Sequence, residues 1–408
     1  MPKLRFPEFC GDDVWNEMPL DGLSKRIRRK VGSKELTPVS ITAGFGFVDQ
    51  TKKFGRRIAG EQYKNYIHIQ RGDFVYNKGN SKTFAQGCIY QLKEFEEAAA
   101  STAFICFKLN ASCVDIYFQN LFECNTHGRK LLKFITSGAR SDGLLNINPT
   151  DFFSIELPLP PRKEEQQRIA ECLSAVDEVI AAQARKLDAL KSHKKGLMQE
   201  LFPREGETQP RLRFPEFQDA PEWGEKKLGN IVEIRSGYSP SKYVLSTLGK
   251  YPFVKVEDLN NCTKYQADSR KYCDDSYGAV PRSSVIFPKR GASIELNKIR
   301  ITTCEILIDT NLMAISPDGT VTTEFLYYFL MNMGLAQIAD TSTIPQINNK
   351  HIIPFKILIP SKCEQQRIAS CLGSLDDLIT AESEKLKALK THKKGLMQQL
   401  FPSPEEEV

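Results

Sequence analysis

Glu165-Gln-Gln-Arg-Ile-Ala-Glu-Cys-Leu173 opens a stretch that closes at Leu201-Phe202-Pro203. Glu364-Gln-Gln-Arg-Ile-Ala-Ser-Cys-Leu372 opens a second one that closes at Leu400-Phe401-Pro402. The copies stand 199 positions apart and agree at 26 of 39 residues from Glu165 to Pro203. A repeat of this length decides the architecture before any single residue does.

The apolar positions of both copies fall on an alternating 4-3 grid. The first copy carries Ile169, Leu173, Val176, Ile180, Leu187, Leu190, Leu197 and Leu201. The second carries Ile368, Leu372, Leu375, Ile379, Leu386, Leu389, Leu396 and Leu400. This is a heptad seam, which predicts a helix burying one narrow stripe against a partner helix. Proline ends each copy, because it cannot continue a helix. A helix of some 37 residues spans about 55 Å at ~1.5 Å per residue, longer than one small core needs, so it reads as a spacer.

Polar residues interrupt the grid at Gln183 and Lys194, and again at Glu382 and Lys393. A parallel pairing would set Lys194 against Lys393, and a buried like-charge pair is expensive. An antiparallel pairing crossing near Asp188 and Lys387 sets Lys194 against Glu382 and Gln183 against Lys393. The expectation is therefore two long helices packed as an antiparallel coiled coil with pseudo-twofold symmetry. The alternative is that these polar side chains simply reach for water.

The chain has 408 residues, 41% hydrophobic and 26% charged, the balance of an ordinary globular protein of two or more domains. No apolar run approaches the length of a membrane span, and the start, Met1-Pro-Lys-Leu-Arg-Phe-Pro7, has no signal core. A cytoplasmic protein is expected. Eleven scattered cysteines without a Cys-x-x-Cys predict reduced thiols, and neither a disulfide framework nor structural zinc. The net charge of +6 is too mild to imply nucleic acid by itself, so local clustering has to carry that argument.

A second repeat fixes the unit. Pro2-Lys-Leu-Arg-Phe-Pro-Glu-Phe9 returns as Pro210-Arg-Leu-Arg-Phe-Pro-Glu-Phe217, followed in turn by Trp15 and Trp223. Each half-chain is thus an arm, a globular region and a long helix. The expected division is 1–160 for the first arm and globular domain and 161–203 for the first spacer helix. Then come 204–223 for linker and second arm, 224–361 for the second globular domain, 362–402 for the second spacer helix and 403–408 for an acidic tail.

The globular regions share only landmarks. Arg71-Gly-Asp-Phe-Val-Tyr-Asn-Lys-Gly79 matches Arg282-Ser-Ser-Val-Ile-Phe-Pro-Lys-Arg-Gly291, each a turn, a short buried strand and a basic glycine turn. Leu145-Asn-Ile-Asn148 matches Pro345-Gln-Ile-Asn348. Short apolar β-type runs among a few helices, such as one over residues 323–338, predict mixed α/β domains and an α+β chain. Two modules that share a frame but not a surface suit the reading of two different things at a fixed distance.

Basic residues concentrate between Lys25 and Arg57, ten bases against Glu35 and Asp49 only. Lys52, Lys53, Arg56 and Arg57 can track phosphates, and Lys78, Asn80 and Lys82 flank a glycine turn. In the second half, Lys289, Arg290, Lys298 and Arg300 cluster beside a polar loop with Gln346 and Asn348. Amides can pair bidentately with adenine and arginine with guanine. Any one of these residues could be a solvated surface charge. Together, on a rigid spacer, they favour duplex DNA.

Catalytic signatures fail to appear. There is no Gly-x-Gly-x-x-Gly, no phosphate loop, no Gly-x-Ser-x-Gly and no His-Glu-x-x-His, and Asn148-Pro-Thr-Asp151 only echoes an aminomethyltransferase motif. His193 and His392 are equivalent positions of the long helices, for which an outer-face role suffices.

The duplicated Leu-Arg-Phe-Pro-Glu-Phe arm, the Glu-Gln-Gln-Arg-Ile-Ala opening and the Lys-Lys-Gly-Leu-Met-Gln-(Glu/Gln)-Leu-Phe-Pro close together resemble the specificity subunit of type I restriction-modification systems. The resemblance covers the whole chain. It implies two variable domains that each read one half of a split, asymmetric DNA target, with helices that set the gap between the halves. It also implies docking of two methyltransferase subunits and, through them, of nuclease/translocase subunits. It implies no catalytic residue and no cofactor in this chain, S-adenosylmethionine being expected on the methyltransferase partner. The competing expectation is a coiled-coil adaptor that scaffolds proteins without reading DNA.

Overall fold

The computed structural model describes residues 1–42, 44–54, 60–79, 84–135, 144–340 and 344–402, leaving aside the side chains of 53, 54, 60 and 61. It divides into two compact units. One is Met1–Ala184 with the chain from Lys385 onward, the other Arg185–Glu384. Both boundaries fall inside the long helices, Lys163–Leu201 and Lys362–Leu400, which start two residues ahead of each repeat and stop ahead of each proline.

In the first unit, one four-stranded sheet runs in the order Ser24–Arg26, Ile105–Leu109, Phe74–Asn77, Cys88–Gln91. A second runs Gly46–Asp49, Pro38–Thr42, Glu97–Ala100, Ile67–Gln70, with one parallel pairing. Phe74, Phe107 and Phe152 share the core with Phe118 and Phe122 of the helix Asp115–Glu123. In the second unit a five-stranded sheet runs Val232–Ser236, Leu312–Pro317, Val285–Pro288, Arg300–Thr302, Tyr265–Gln266. A three-stranded one runs Tyr272–Cys273, Tyr251–Val254, Leu307–Ile308. In each unit the strand leaving the arm pairs antiparallel with the strand entering the long helix: Asn16–Pro19 with Glu156–Leu159, and Gly224–Lys227 with Lys356–Ile359.

One sequence expectation shifts. The run 323–338 is helical only over Thr323–Met333, because Gly334 turns to a φ of 85° and a short 3-10 turn, Leu335–Gln337, follows. Ahead of the strand Glu156–Leu159 lies a short helix, Pro149–Phe153, which Asn148 caps by accepting from the Asp151 amide and which Pro149 opens.

The repeated arm and helix start form one buried device, present in both units. Arg5 Nε and Nη2 each donate to Glu165 at 2.8 Å, and the Trp15 indole donates to the same carboxylate at 3.1 Å. Arg213 grips Glu364 at 2.8 Å twice, with Trp223 at 3.2 Å. Both carboxylates are 1% exposed. The next residue of the motif caps a domain helix: Gln166 accepts from the Val114 amide and Gln365 from the Thr322 amide. Arg168 and Arg367 complete it, lying over Phe6 and Phe214 and pairing with Glu8 and Glu216.

All seam positions of both helices are buried or half-buried, and the polar gaps Gln183 and Glu382 are buried too. His193 and His392 are exposed. In each unit the beginning of one long helix and the end of the other enter the same core: Ile169 and Leu173 with Met397 and Leu400, Ile368 and Leu372 with Met198 and Leu201. The expected Lys194–Glu382 match is displaced by about two turns. Lys194 pairs with Asp376, and Glu382 with Lys186. Lys393 pairs with Asp177 at 2.9 Å and Glu123 at 3.3 Å. Long lysine side chains reach the nearest carboxylate along the helix, so a register drawn from seam positions alone misses the ionic partner.

Candidate nucleic-acid interface

In the second unit, the strand Val285–Pro288 ends on Lys289-Arg290-Gly291. A short backbone ladder joins this turn to the polar loop: Ile347 N–H donates to Lys289 O at 3.0 Å, and Gly291 N–H to Pro345 O at 3.0 Å. Arg290 faces Gln346 across the bridge, and both side chains are exposed. Lys289 N–H donates to Asn311 O at 2.9 Å, adding the turn Asp309–Asn311 to the cluster. Burial, and then the neighbouring Arg290, push the Lys289 ammonium below its usual range, with Asp309 opposing.

A fourth segment joins at Gly237-Tyr238. Tyr238 N–H donates to Ile308 O at 3.1 Å. This approach requires glycine at 237, where a Cβ would lie 2.0 Å from Asp309 O. Gly278, at a φ of 72°, leaves room for the Tyr238 ring, which meets Tyr277 at 5.2 Å. The Lys242 ammonium lies over both rings, 4.6 and 5.7 Å from their centroids. The result is an exposed surface of cations, amides and aromatic faces: Lys242, Tyr277, Arg290, Asn311 and Gln346.

The first unit uses the same landmarks. Leu145 N–H donates to Lys78 O at 2.9 Å, and Gly79 bridges Leu144, so the basic turn again pairs with the Leu-Asn-Ile-Asn loop. The turn Ser101–Ala103 reproduces Asp309–Asn311: the side chain of its first residue accepts from the amide two positions on, at 3.3 Å and 2.9 Å in turn. The hairpin of Pro38–Thr42 and Gly46–Asp49 adds Phe45, 83% exposed between Gly44 and Gly46, both at positive φ. Gly44 N–H donates to the Tyr90 hydroxyl at 2.8 Å, fixing the tip.

The sequence-derived residues fare unequally. Lys289, Arg290 and Gln346 come together. Lys298 is half-buried just ahead of the strand Arg300–Thr302. Arg300 is committed to its own domain, its guanidinium donating to Cys262 O, Ile299 O and Leu259 O. Asn348 stands at the N-cap of the helix Asn349–Ile352, and its backbone N–H donates to His351 Nδ1 at 3.2 Å. Lys52 is exposed on the helix Gln50–Phe54, and Lys78 is half-buried. Arg56, Arg57, Asn80, Lys82 and the Lys53 side chain lie outside the described residues. Sequence reasoning passed over Tyr238, Lys242, Tyr277, Asn311 and Phe45. The turn-rich run Ser236-Gly-Tyr-Ser-Pro-Ser-Lys242 and the Gly44-Phe-Gly46 triplet were the available signals.

Among the described residues, no group of His, Cys, Asp and Glu could hold a metal ion, and no helix is long and apolar enough to cross a membrane.

A family model described as the type I restriction modification DNA specificity domain matches residues 51–192 and 221–391. The chain belongs to this family and is a specificity subunit with two target recognition domains. It is 25% identical over 283 residues to the type I restriction enzyme MjaVIII specificity subunit of Methanocaldococcus jannaschii, covering 66% of each protein, just under two thirds. It is similar in fold to a chain solved in a study of complex assembly and conformational transition of the type I R-M system (TM-score 0.62, 18% identity, 98% and 100% of the chains). The S subunit of a type I system from M. genitalium is also similar (TM-score 0.56, 16% identity, 99% of each chain).

Proposed function

We propose that this protein is the non-catalytic DNA-recognition subunit of a type I restriction-modification complex, each globular domain reading one half of a split, asymmetric target. The observation that carries the reading is the cluster at Lys289–Gly291, Asp309–Asn311 and Gln346, with its counterpart at Lys78–Gly79 and Ser101–Ala103. Equivalent backbone frames present different side chains, Asn311 against Ala103, as two different half-sites require. Arg290, Lys289 and Lys242 supply phosphate or guanine contacts, and Gln346 and Asn311 supply amides for base edges. Arg300 and Asn348 serve as internal supports.

The long helices are the spacer, an antiparallel coiled coil with pseudo-twofold symmetry. The pairs Lys194–Asp376 and Lys393–Asp177 support this, since each component recurs 199 positions on. The expected partners are duplex DNA, two methyltransferase subunits carrying S-adenosylmethionine and, through them, nuclease/translocase subunits, in the cytoplasm. The domain limits proposed are 1–160, 161–203, 204–223, 224–361, 362–402 and 403–408.

Methylation sequencing of a host with and without the gene tests the reading. Loss of adenine methylation at one two-part motif is the expected result. An unchanged methylome, from a complex that co-purifies with its methyltransferase, would support the adaptor alternative instead.

A further inference from the structure

Lys264 is a buried lysine, 8% exposed, whose ammonium meets a phenol. Three tyrosine rings surround its ammonium: Tyr328 at 4.6 Å, Tyr265 at 4.9 Å and Tyr327 at 5.5 Å. The ammonium donates to the Tyr328 hydroxyl at 3.0 Å. That hydroxyl in turn donates to Asp376 Oδ2 at 2.6 Å, and Asp376 Oδ1 accepts from Lys194. Lys194 also lies over the Tyr328 ring at 5.2 Å.

Ammonium, phenol, carboxylate and ammonium thus form one relay through four elements. Lys264 precedes the strand Tyr265–Gln266, Tyr328 belongs to the helix Thr323–Met333, and Asp376 and Lys194 belong to the two long helices. The relay continues toward the candidate interface by backbone alone. Ile301 N–H donates to Lys264 O at 2.8 Å, and the strand Arg300–Thr302 pairs with Val285–Pro288, which ends on Lys289 and Arg290.

The first unit has the ionic pair but not the relay. Val114 and Thr322 occupy equivalent places, each donating its amide to the motif glutamine. Counting from them, Asn120 stands where Tyr328 stands, and its amide is spent on Ile116 O of its own helix. Glu123 instead reaches Lys393, with Glu123 and Asp177 both about half-exposed. A water-accessible ion pair is weak and screened by salt, whereas a carboxylate held by both a buried phenol and an ammonium is confined to one geometry.

We propose that Tyr328 is a positioning residue that sets the angle of the second recognition domain on the spacer. It thereby determines how strictly the protein measures the distance to the second half-site. This rests on the DNA-recognition reading above.

The test uses the assembled complex with its methyltransferase subunits, on duplexes carrying the mapped target with its gap kept, shortened or lengthened by one base pair. Tyr328→Phe removes only the hydroxyl. The expected result is at least a tenfold loss of discrimination against altered gaps, with base-substituted second half-sites rejected as by the wild type. Asp376→Asn behaves likewise, and Tyr327→Phe, which breaks no relay bond, behaves as wild type. Should Tyr328→Phe not fold, Asp376→Asn decides alone. Gap discrimination within twofold of wild type in the relay variants would overturn the proposal, as would joint loss of gap and base discrimination. A wild-type complex that methylates no split target would overturn the recognition reading itself, a distinct outcome.

Discussion

The indole of Trp15 and the carboxylate of Glu165 meet at 3.1 Å, 150 residues apart in the chain and on the same oxygen that Arg5 grips. Trp223 and Glu364 do the same in the second half. This contact explains why the repeated arm and the repeated helix opening travel together. The acid is buried at the first turn of a long helix, and its charge is tolerated only because guanidinium and indole donors from the arm satisfy it.

Removing that acid leaves the guanidinium with backbone carbonyls alone, Asp12 O in one unit and Ala220 O in the other, and breaking a buried pair costs about 3–5 kcal/mol. Glu364→Ala should therefore destabilise the second unit by that order, and Glu165→Ala the first. Trp223→Phe, which loses one hydrogen bond but keeps the ring, should cost about 1–2 kcal/mol. Hydrogen exchange resolved by unit measures each effect. Equal losses for Glu364→Ala and Trp223→Phe would count against the clamp.

His127 gives the first unit a stability that depends on pH. Burial against Tyr76 and Phe122 lowers its pKa from an ordinary 6.5 to about 4, with Arg129 adding to the shift. The unfolded chain binds this proton at higher pH than the folded one. The contribution is complete above pH 6.5 and is lost as pH falls toward 4, roughly 3 kcal/mol in all. Burial raises the pKa of Asp73 and Asp115 in the same unit, so their contributions run the opposite way, growing on acidification at the lower end of the range. His127→Leu should flatten the decline between pH 6.5 and 5 in denaturation measurements. An unchanged slope would exclude His127 as its source.

Arg290 and Arg300, ten residues apart, should respond differently to alanine. Arg290→Ala is expected to weaken DNA binding and reduce the salt slope by about one. Arg300→Ala is expected to lower the stability of the second unit by a few kcal/mol, since three backbone carbonyls lose their donor. Binding titrations at several salt concentrations, beside thermal unfolding, separate the two. Weaker binding by Arg290→Ala with an unchanged salt slope would remove its phosphate role.

Deleting seven residues from either long helix keeps the heptad phase while shortening the spacer. The half-site letters should persist while recognition of the gap changes or is abolished. Methylation of the original motif by the shortened protein would refute the ruler.

Legible in the chain alone were the repeat, the two long helices and the landmarks of the basic turns. These follow from local rules: heptad spacing, proline stops and glycine turns act over a few residues and need no partner to be legible. The pairing of Lys194 with Asp376, the use of Arg300 and Asn348 as internal supports, and the meeting of Tyr238, Tyr277 and Lys242 were decided only by tertiary structure. Whether an arginine faces solvent or a ring of carbonyls depends on strands far away in the chain, and the same residue type serves both. The relay from Lys264 to Lys194 is of this kind. Its four side chains are ordinary in sequence and become one device only when a strand, a domain helix and the two long helices meet around the Tyr328 hydroxyl.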